Sequence, residues 1–191
     1  MSENEKKKTS FVEELIDWIE TLFFSFLTVV LLFTFVFRTS EVIGPSMYPT
    51  FVGRDDTTGQ TGDMLIYLSC VNNYKNGDVV VVDSIAFNEP IIKRVIAVPG
   101  QTISVDYENG VVYVDGVALD EPYTASPTNN REDFNGPLTV PEGYVFVMGD
   151  NRNNSTDSRS NLVGLLREEY VMGRALFRVK PFGQFKIGQY E

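Results

Sequence analysis

The chain opens on a polar stretch, MSENEKKKT, and then becomes amphipathic. Ser10 stands three residues before Glu13, the spacing of a helix capping box. Val12, Leu15, Ile16 and Ile19 follow at helical intervals, with Glu13, Glu14, Asp17 and Glu20 on the other face. Residues 21–37, TLFFSFLTVVLLFTFVF, then run for seventeen positions without a charge, about 25 Å of helix at 1.5 Å per residue. A hydrocarbon core is about 30 Å thick, and Trp18 and Arg38 flank the run where interfacial side chains would complete it. The pattern predicts a tail and amphipathic helix over 1–20 and one transmembrane anchor over 21–38. After Phe37 the sequence RTSEVIG has no small-x-small cleavage pattern and begins with arginine, so the anchor is expected to stay attached. Lys6, Lys7 and Lys8 precede the span, against Arg38 and Arg54 shortly after it. This bias predicts a single-pass protein of the cell membrane, with its N-terminus in the cytoplasm and residues 39–191 as an extracytoplasmic domain.

From residue 40 onward helical periodicity nearly vanishes. Short apolar runs (DMLIYLS, GDVVVVDSIAF, PIIKRVIAVPG, QTISVDY, GVVYVDG, YVFVMGD) are separated by Gly, Pro, Asn and Asp. Asn109–Gly110 separates two alternating stretches and Asp115–Gly116 follows, both hairpin signals. Val- and Ile-rich runs about every ten residues predict a mostly β domain, a β-barrel or folded sheet, behind the single helix. Residues 101–140 read as a looser hairpin-and-loop insertion, with PYTASPTNNREDFNGP irregular, and REEYVM (167–172) as a helical turn. The tail, LFRVKPFGQFKIG, alternates aromatics with Arg178, Lys180 and Lys186.

Composition narrows the chemistry. The formal charge of −10 argues against a nucleic-acid partner, because phosphate binding needs clustered Lys and Arg. There is no histidine, which removes Ser–His–Asp triads, Cys–His dyads and His-ligated metals. The single cysteine, Cys70, lies in the apolar run LIYLSC and reads as a small buried hydrophobe. Any nucleophile and base must therefore come from Ser, Thr, Lys, Asp, Glu or Tyr.

Three segments carry candidates. In GPSMYPT (44–50), Gly44, Pro45 and Pro49 fix a bend around Ser46, a position suited to a nucleophile but also common in plain turns. In PIIKRVIAVPG, strand alternation places Ile91, Lys93, Val95 and Ala97 on one face and Ile92, Arg94, Ile96 and Val98 on the other. A lysine buried there would lose its charged form readily and could accept a proton from a serine; guanidinium cannot. In GDNRNNSTDSR (149–159), Asp157 and Arg159 would share a strand face and could pair, and Ser155 and Ser158 offer hydroxyls.

Taken in order, GPSMYPT, GDVVVV (77–82), KRVIAVPGQTI (93–103) and GDNRNNSTDSR resemble the successive signature boxes of type I signal peptidases, and DGVALDEPY (115–123) resembles the stretch between the last two. The likeness covers most of residues 38–177. It implies a membrane-bound serine endopeptidase with a Ser–Lys dyad that removes signal peptides from exported preproteins, cutting after a small-x-small sequence. Ser46 would be the nucleophile, Lys93 the general base, Ser155 the group holding the lysine amine, and Asp157 and Arg159 the floor of the site. The Ser46 amide would serve as one oxyanion donor. Some relatives supply a second from a serine two residues earlier, where this chain has Gly44. After Arg159, SNLVGLL brings its glycine later than the family pattern does. Val42, Met47, Phe51, Ile91, Ile92 and Val147 are the candidates for the shallow apolar substrate pockets. The partners implied are preproteins and the lipid bilayer, with no metal or organic cofactor. A self-cleaving SOS-repressor-type regulator shares the dyad, but it would carry a DNA-binding module rather than an anchor. An inactive membrane-tethered β scaffold that binds exported chains would not need both dyad residues.

Overall fold

The computed structural model describes residues 3–69, 71–84, 87–180 and 182; Cys70 and Lys186 lie outside them. The chain separates into two compact units, residues 1–38 and 39–191.

The first unit is one helix, α1 (Glu3–Phe35). It begins well before Ser10, because Glu and Lys are good helix formers and nothing in ENEKKK stops the helix. No break separates the amphipathic segment from the apolar one, so the boundary drawn at residue 20 is a change of surface and not of structure. Over Phe11–Phe35 mean hydropathy reaches 1.9, and every side chain from 11 to 35 is exposed. The length and composition suffice to cross a membrane. The hydroxyls of Thr21, Thr28 and Thr34 donate back to the carbonyls of Asp17, Phe24 and Val30 at 2.7–2.8 Å, so these polar groups need no water.

The second unit is mostly β. The described strands are β1 (Phe37–Glu41), which begins at the end of the first unit, β2 (Met64–Leu68), β3 (Val79–Ser84), β4 (Glu89–Ala97), β5 (Thr102–Asp106), β6 (Val111–Val114), β7 (Val117–Ala118), β8 (Leu138–Thr139), β9 (Tyr144–Met148), β10 (Leu166–Arg167) and β11 (Val171–Lys180). A single 3₁₀ turn, Glu168–Tyr170, stands where the helical turn was expected. Seven strands form an open sheet in the order β1-β2-β11-β3-β4-β9-β10 and four form a second in the order β7-β6-β5-β8. Of the two forms the pattern allowed, the folded sheet is the one observed; the large sheet does not close.

Residues 101–140 are more ordered than their composition suggests. The β6–β7 hairpin turns through Asp115 (φ 53°) and Gly116 (φ 79°), two left-handed residues as a two-residue hairpin loop requires. Asn109–Gly110 closes a four-residue loop between β5 and β6, where Asp106 accepts from the Glu108 and Asn109 amides. Ile103, Val112, Val114 and Phe134 then pack on Ile96, Phe146 and Met148 of β4 and β9, which fastens the small sheet to the large one.

The register of β4 prepares the site. It pairs with β3 from Glu89 to Arg94, but β9 joins it only from Arg94 onward, where Arg94 faces Met148. Glu89–Lys93 thus pair on one side only among the described strands, and this open edge runs up to Lys93. Beyond Ile91 both faces of the strand are buried. Lys93 and Arg94, on opposite faces, are thus both buried.

Candidate active site

Lys93 is 4 % exposed, opposite Val80 of β3. Removal from water pushes its ammonium down to about 8; Asp157, Glu132 and Asp150 oppose the fall and Arg159 adds to it. About a tenth of the amine is therefore free at pH 7, far more than for an ordinary lysine.

Ser46 lies half-buried in a turn in which the Tyr48 amide donates to the Pro45 carbonyl. Gly44 takes the left-handed conformation (φ 70°) and its amide donates to Arg54 O at 3.1 Å. Met47 and Phe51 are fully buried in a cluster with Val42, Leu65, Val79, Val81 and Ile92, so the turn is anchored by its own apolar side chains. Asn151 holds it from the other side: its amide donates to Ser46 O at 3.0 Å, and its side-chain Nδ2 donates to Pro45 O at 3.1 Å.

The loop that follows β9 brings the remaining groups together. After Met148 the register carries Gly149 to the level of Lys93. A Cβ on Gly149 would fall well inside 3.0 Å of both Ser155 Oγ and the Ser46 carbonyl oxygen, so these two residues meet at that glycine. Ser155 Oγ is buried and has no hydrogen-bond partner among the described residues. Asp157 and Arg159 pair twice, Nε to Oδ1 and Nη2 to Oδ2, both at 2.8 Å and both fully buried. They do so from a turn and not along a strand, because the loop folds back on β9. Ser158 Oγ accepts from the Val147 amide, and Asp157 Oδ2 accepts from the Gly149 amide. Arg159 also donates to Arg152 O and Asn130 O.

A second buried charge pair lies beside the first set. Arg94 grips Asp150 at 2.8 and 2.6 Å, donates to Gly77 O, and stacks 3.9 Å from the Tyr123 ring centre. The Thr50 hydroxyl donates to the same Asp150 carboxylate. Arg152 pairs with Glu121 at 2.6 and 2.7 Å.

Against known families, the signal peptidase, peptidase S26 model matches residues 15–180. The chain belongs to this family. Signal peptidase I of Bacillus amyloliquefaciens is 32% identical over 191 aligned positions, covering 96% of this chain and 97% of that one. Signal peptidase I S of Bacillus subtilis (strain 168) is 33% identical, covering 97% of each. Among solved structures, a signal peptidase I from Enterococcus faecalis V583 is 32% identical and covers 53% of this chain and 96% of its own, with a TM-score of 0.45.

In this member of the peptidase S26 family the six pocket candidates divide between two clusters. Val42, Met47, Phe51 and Ile92 pack together under the Ser46 turn, at most 5 % exposed. Val147 and Ile91 belong to a separate cluster with Val80, Val82 and Val95. None of the six lines the cavity of about 560 Å³ beside the turn, whose walls include Ile43, Gly44, Pro45, Tyr48, Arg54 and Asn151. Gly149, Asp150 and Asn151 are visible in the sequence only as the opening of GDNRNNSTDSR, with no individual role, since two act through backbone or amide groups and the third through Arg94.

Proposed function

We propose that this chain is a membrane-bound serine endopeptidase that removes N-terminal signal peptides from exported preproteins, with α1 as its anchor and residues 39–191 outside the cytoplasm. The observation that carries this reading is a lysine buried to 4 % exposure, pushed down to about 8, on a strand whose open edge ends at that residue. Its membership of the signal peptidase family and the apolar helix support the same conclusion.

An extended substrate adds a strand along Glu89–Lys93, with main-chain hydrogen bonds supplying affinity. Neutral Lys93 takes the Ser46 proton as Oγ attacks the carbonyl carbon. The tetrahedral oxyanion is met by the Ser46 amide. Lys93 then gives its proton to the departing amine, leaving an acyl-enzyme. A water that loses its proton to the same lysine cleaves the ester and restores Ser46. Ser155 orients the amine, and the Asp157–Arg159 pair holds the loop without transferring protons.

The test is mass spectrometry of a secretory precursor incubated with the full chain in detergent. Cleavage at one bond after a small-x-small sequence by the wild type, and none by Ser46→Ala, is the expected result. Cutting at that bond by a clean Ser46→Ala preparation would assign the nucleophile elsewhere.

A further inference from the structure

Asn151 is bonded to both carbonyl groups that flank the nucleophile. Its backbone amide donates to Ser46 O at 3.0 Å and its carboxamide Nδ2 donates to Pro45 O at 3.1 Å. A carbonyl oxygen can only accept, so the nitrogen of the carboxamide must face it, and the orientation of the side chain is fixed by chemistry. The Pro45–Ser46 peptide is trans, and a planar trans peptide points its C=O and its N–H in opposite directions. A donor that holds Pro45 O therefore also sets where the Ser46 N–H points, away from Asn151.

The turn has a hydrogen bond of its own, from the Tyr48 amide to the same Pro45 oxygen. That bond fixes the shape of the turn but not its orientation toward the lysine. Asn151 supplies the orientation. It follows Gly149 and Asp150, which the register of β9 carries past Lys93 and which Arg94, the residue next to Lys93, holds through Asp150. The path from Lys93 to Ser46 thus runs Arg94, Asp150, Asn151, Pro45. Each step is a covalent neighbour or a hydrogen bond between groups in defined geometry.

We propose that Asn151 is the positioning residue of the nucleophile: through its carboxamide it locks the Pro45–Ser46 peptide so that the Ser46 N–H is aimed at the oxyanion. The proposal rests on the peptidase reading above. It also accounts for how the amide of Ser46 stays aligned in a chain where position 44 is a glycine with no hydroxyl to share the oxyanion. The side chain touches neither substrate nor the reacting atoms; its contribution is directional and belongs to the transition state, where a misaligned donor loses most of its value.

The experiment compares Asn151→Ala and Asn151→Asp with the wild type, in detergent, on a peptide spanning a signal-peptide cleavage site. Asn151→Asp keeps the shape and the backbone bond to Ser46 O but replaces the donor with an acceptor facing Pro45 O. Both variants are expected to lose kcat by roughly 30-fold, less than the about 100- to 1,000-fold lost when an oxyanion donor is removed outright. Substrate KM, melting temperature and the pH at which the rate rises should stay close to those of the wild type. Asn151→Ser, which restores a hydroxyl donor, should recover part of the loss. Full kcat in Asn151→Asp would overturn the proposal, as would a loss of kcat matched by a fall in melting temperature or by a shifted pH profile. Absence of any cleavage by the wild type would instead sink the peptidase reading itself, so the two failures are distinct.

Discussion

Gly149 stands at the junction of Ser46 and Ser155, and a single carbon added to it would overlap both. One of the three nearest atoms it would meet is a backbone oxygen, which cannot swing aside as the end of a side chain can. The glycine is therefore required by close approach, not by its backbone angle.

Gly149→Ala is expected to push the Ser46 turn away from the loop that follows β9. A displacement of about 1 Å at a reacting group costs on the order of 100-fold in rate, while overpacking of this kind costs about 1–3 kcal/mol of stability. Kinetics and a melting curve on the same preparation check this. Wild-type kcat in Gly149→Ala would mean that the turn has slack the geometry does not show.

Ser155 offers a cleaner separation of stability from activity. Its hydroxyl is buried without a hydrogen-bond partner among the described residues, a condition that costs a folded protein about 1–3 kcal/mol. Ser155→Ala removes that cost. The variant should melt at the same temperature as the wild type or higher, yet cleave at least roughly tenfold more slowly, because the Lys93 amine loses the group proposed to orient it. A variant that is less stable and fully active would contradict both halves.

What the sequence made legible follows from the reach of each signal. The strands β2, β3, β4, β5, β6 and β9 were visible because branched apolar residues cluster between turn formers, and the two left-handed residues at 115 and 116 were visible as Asp-Gly. The joining of the amphipathic and apolar segments into α1 was not, because capping signals mark where a helix can start and not where an earlier one continues. Lys93 stood out as a cation among Val and Ile. Arg94 was visible only as its permanently charged neighbour, and that both are buried depends on packing over the two faces of β4 by segments distant in sequence. Asn151 was visible only as one position of GDNRNNSTDSR, since what distinguishes it is two carbonyl groups over a hundred residues away.

Arg94 yields a stability prediction. With Asp150 it forms a fully buried two-point ion pair, reinforced by Gly77 O and the Tyr123 ring. Removing one partner leaves an uncompensated buried charge, so Arg94→Met should cost about 3–5 kcal/mol. Arg94→Lys keeps the charge but loses the fork and the stacking, and should fall between that variant and the wild type. Denaturant unfolding of the three proteins tests the order; equal midpoints would show that Asp150 finds other partners.

The last prediction concerns Lys93 and reads its burial in two ways at once. Only the free amine can accept the Ser46 proton, so kcat/KM should rise with pH through about 8 and level off above it. Lys93→Arg should be inactive across this range, since guanidinium keeps its charge. The same burial predicts the opposite trend for stability when the lysine is removed. Below about 8 the fold must either neutralise Lys93 or bury its charge, a cost the unfolded chain does not bear. As pH climbs from about 8 toward the ordinary lysine value the unfolded chain is the form that holds the extra proton, so wild-type stability rises with pH. Lys93→Met has no proton to lose. It should be more stable than the wild type near pH 7, by up to about 3 kcal/mol, with the gap narrowing as pH rises beyond 8. Rate and unfolding measured on one pH series therefore test one group from both sides. A rate flat in pH, or robust turnover by Lys93→Arg, would place the general base elsewhere. A Lys93→Met gap that does not change with pH would mean that the lysine is charged in the folded protein throughout.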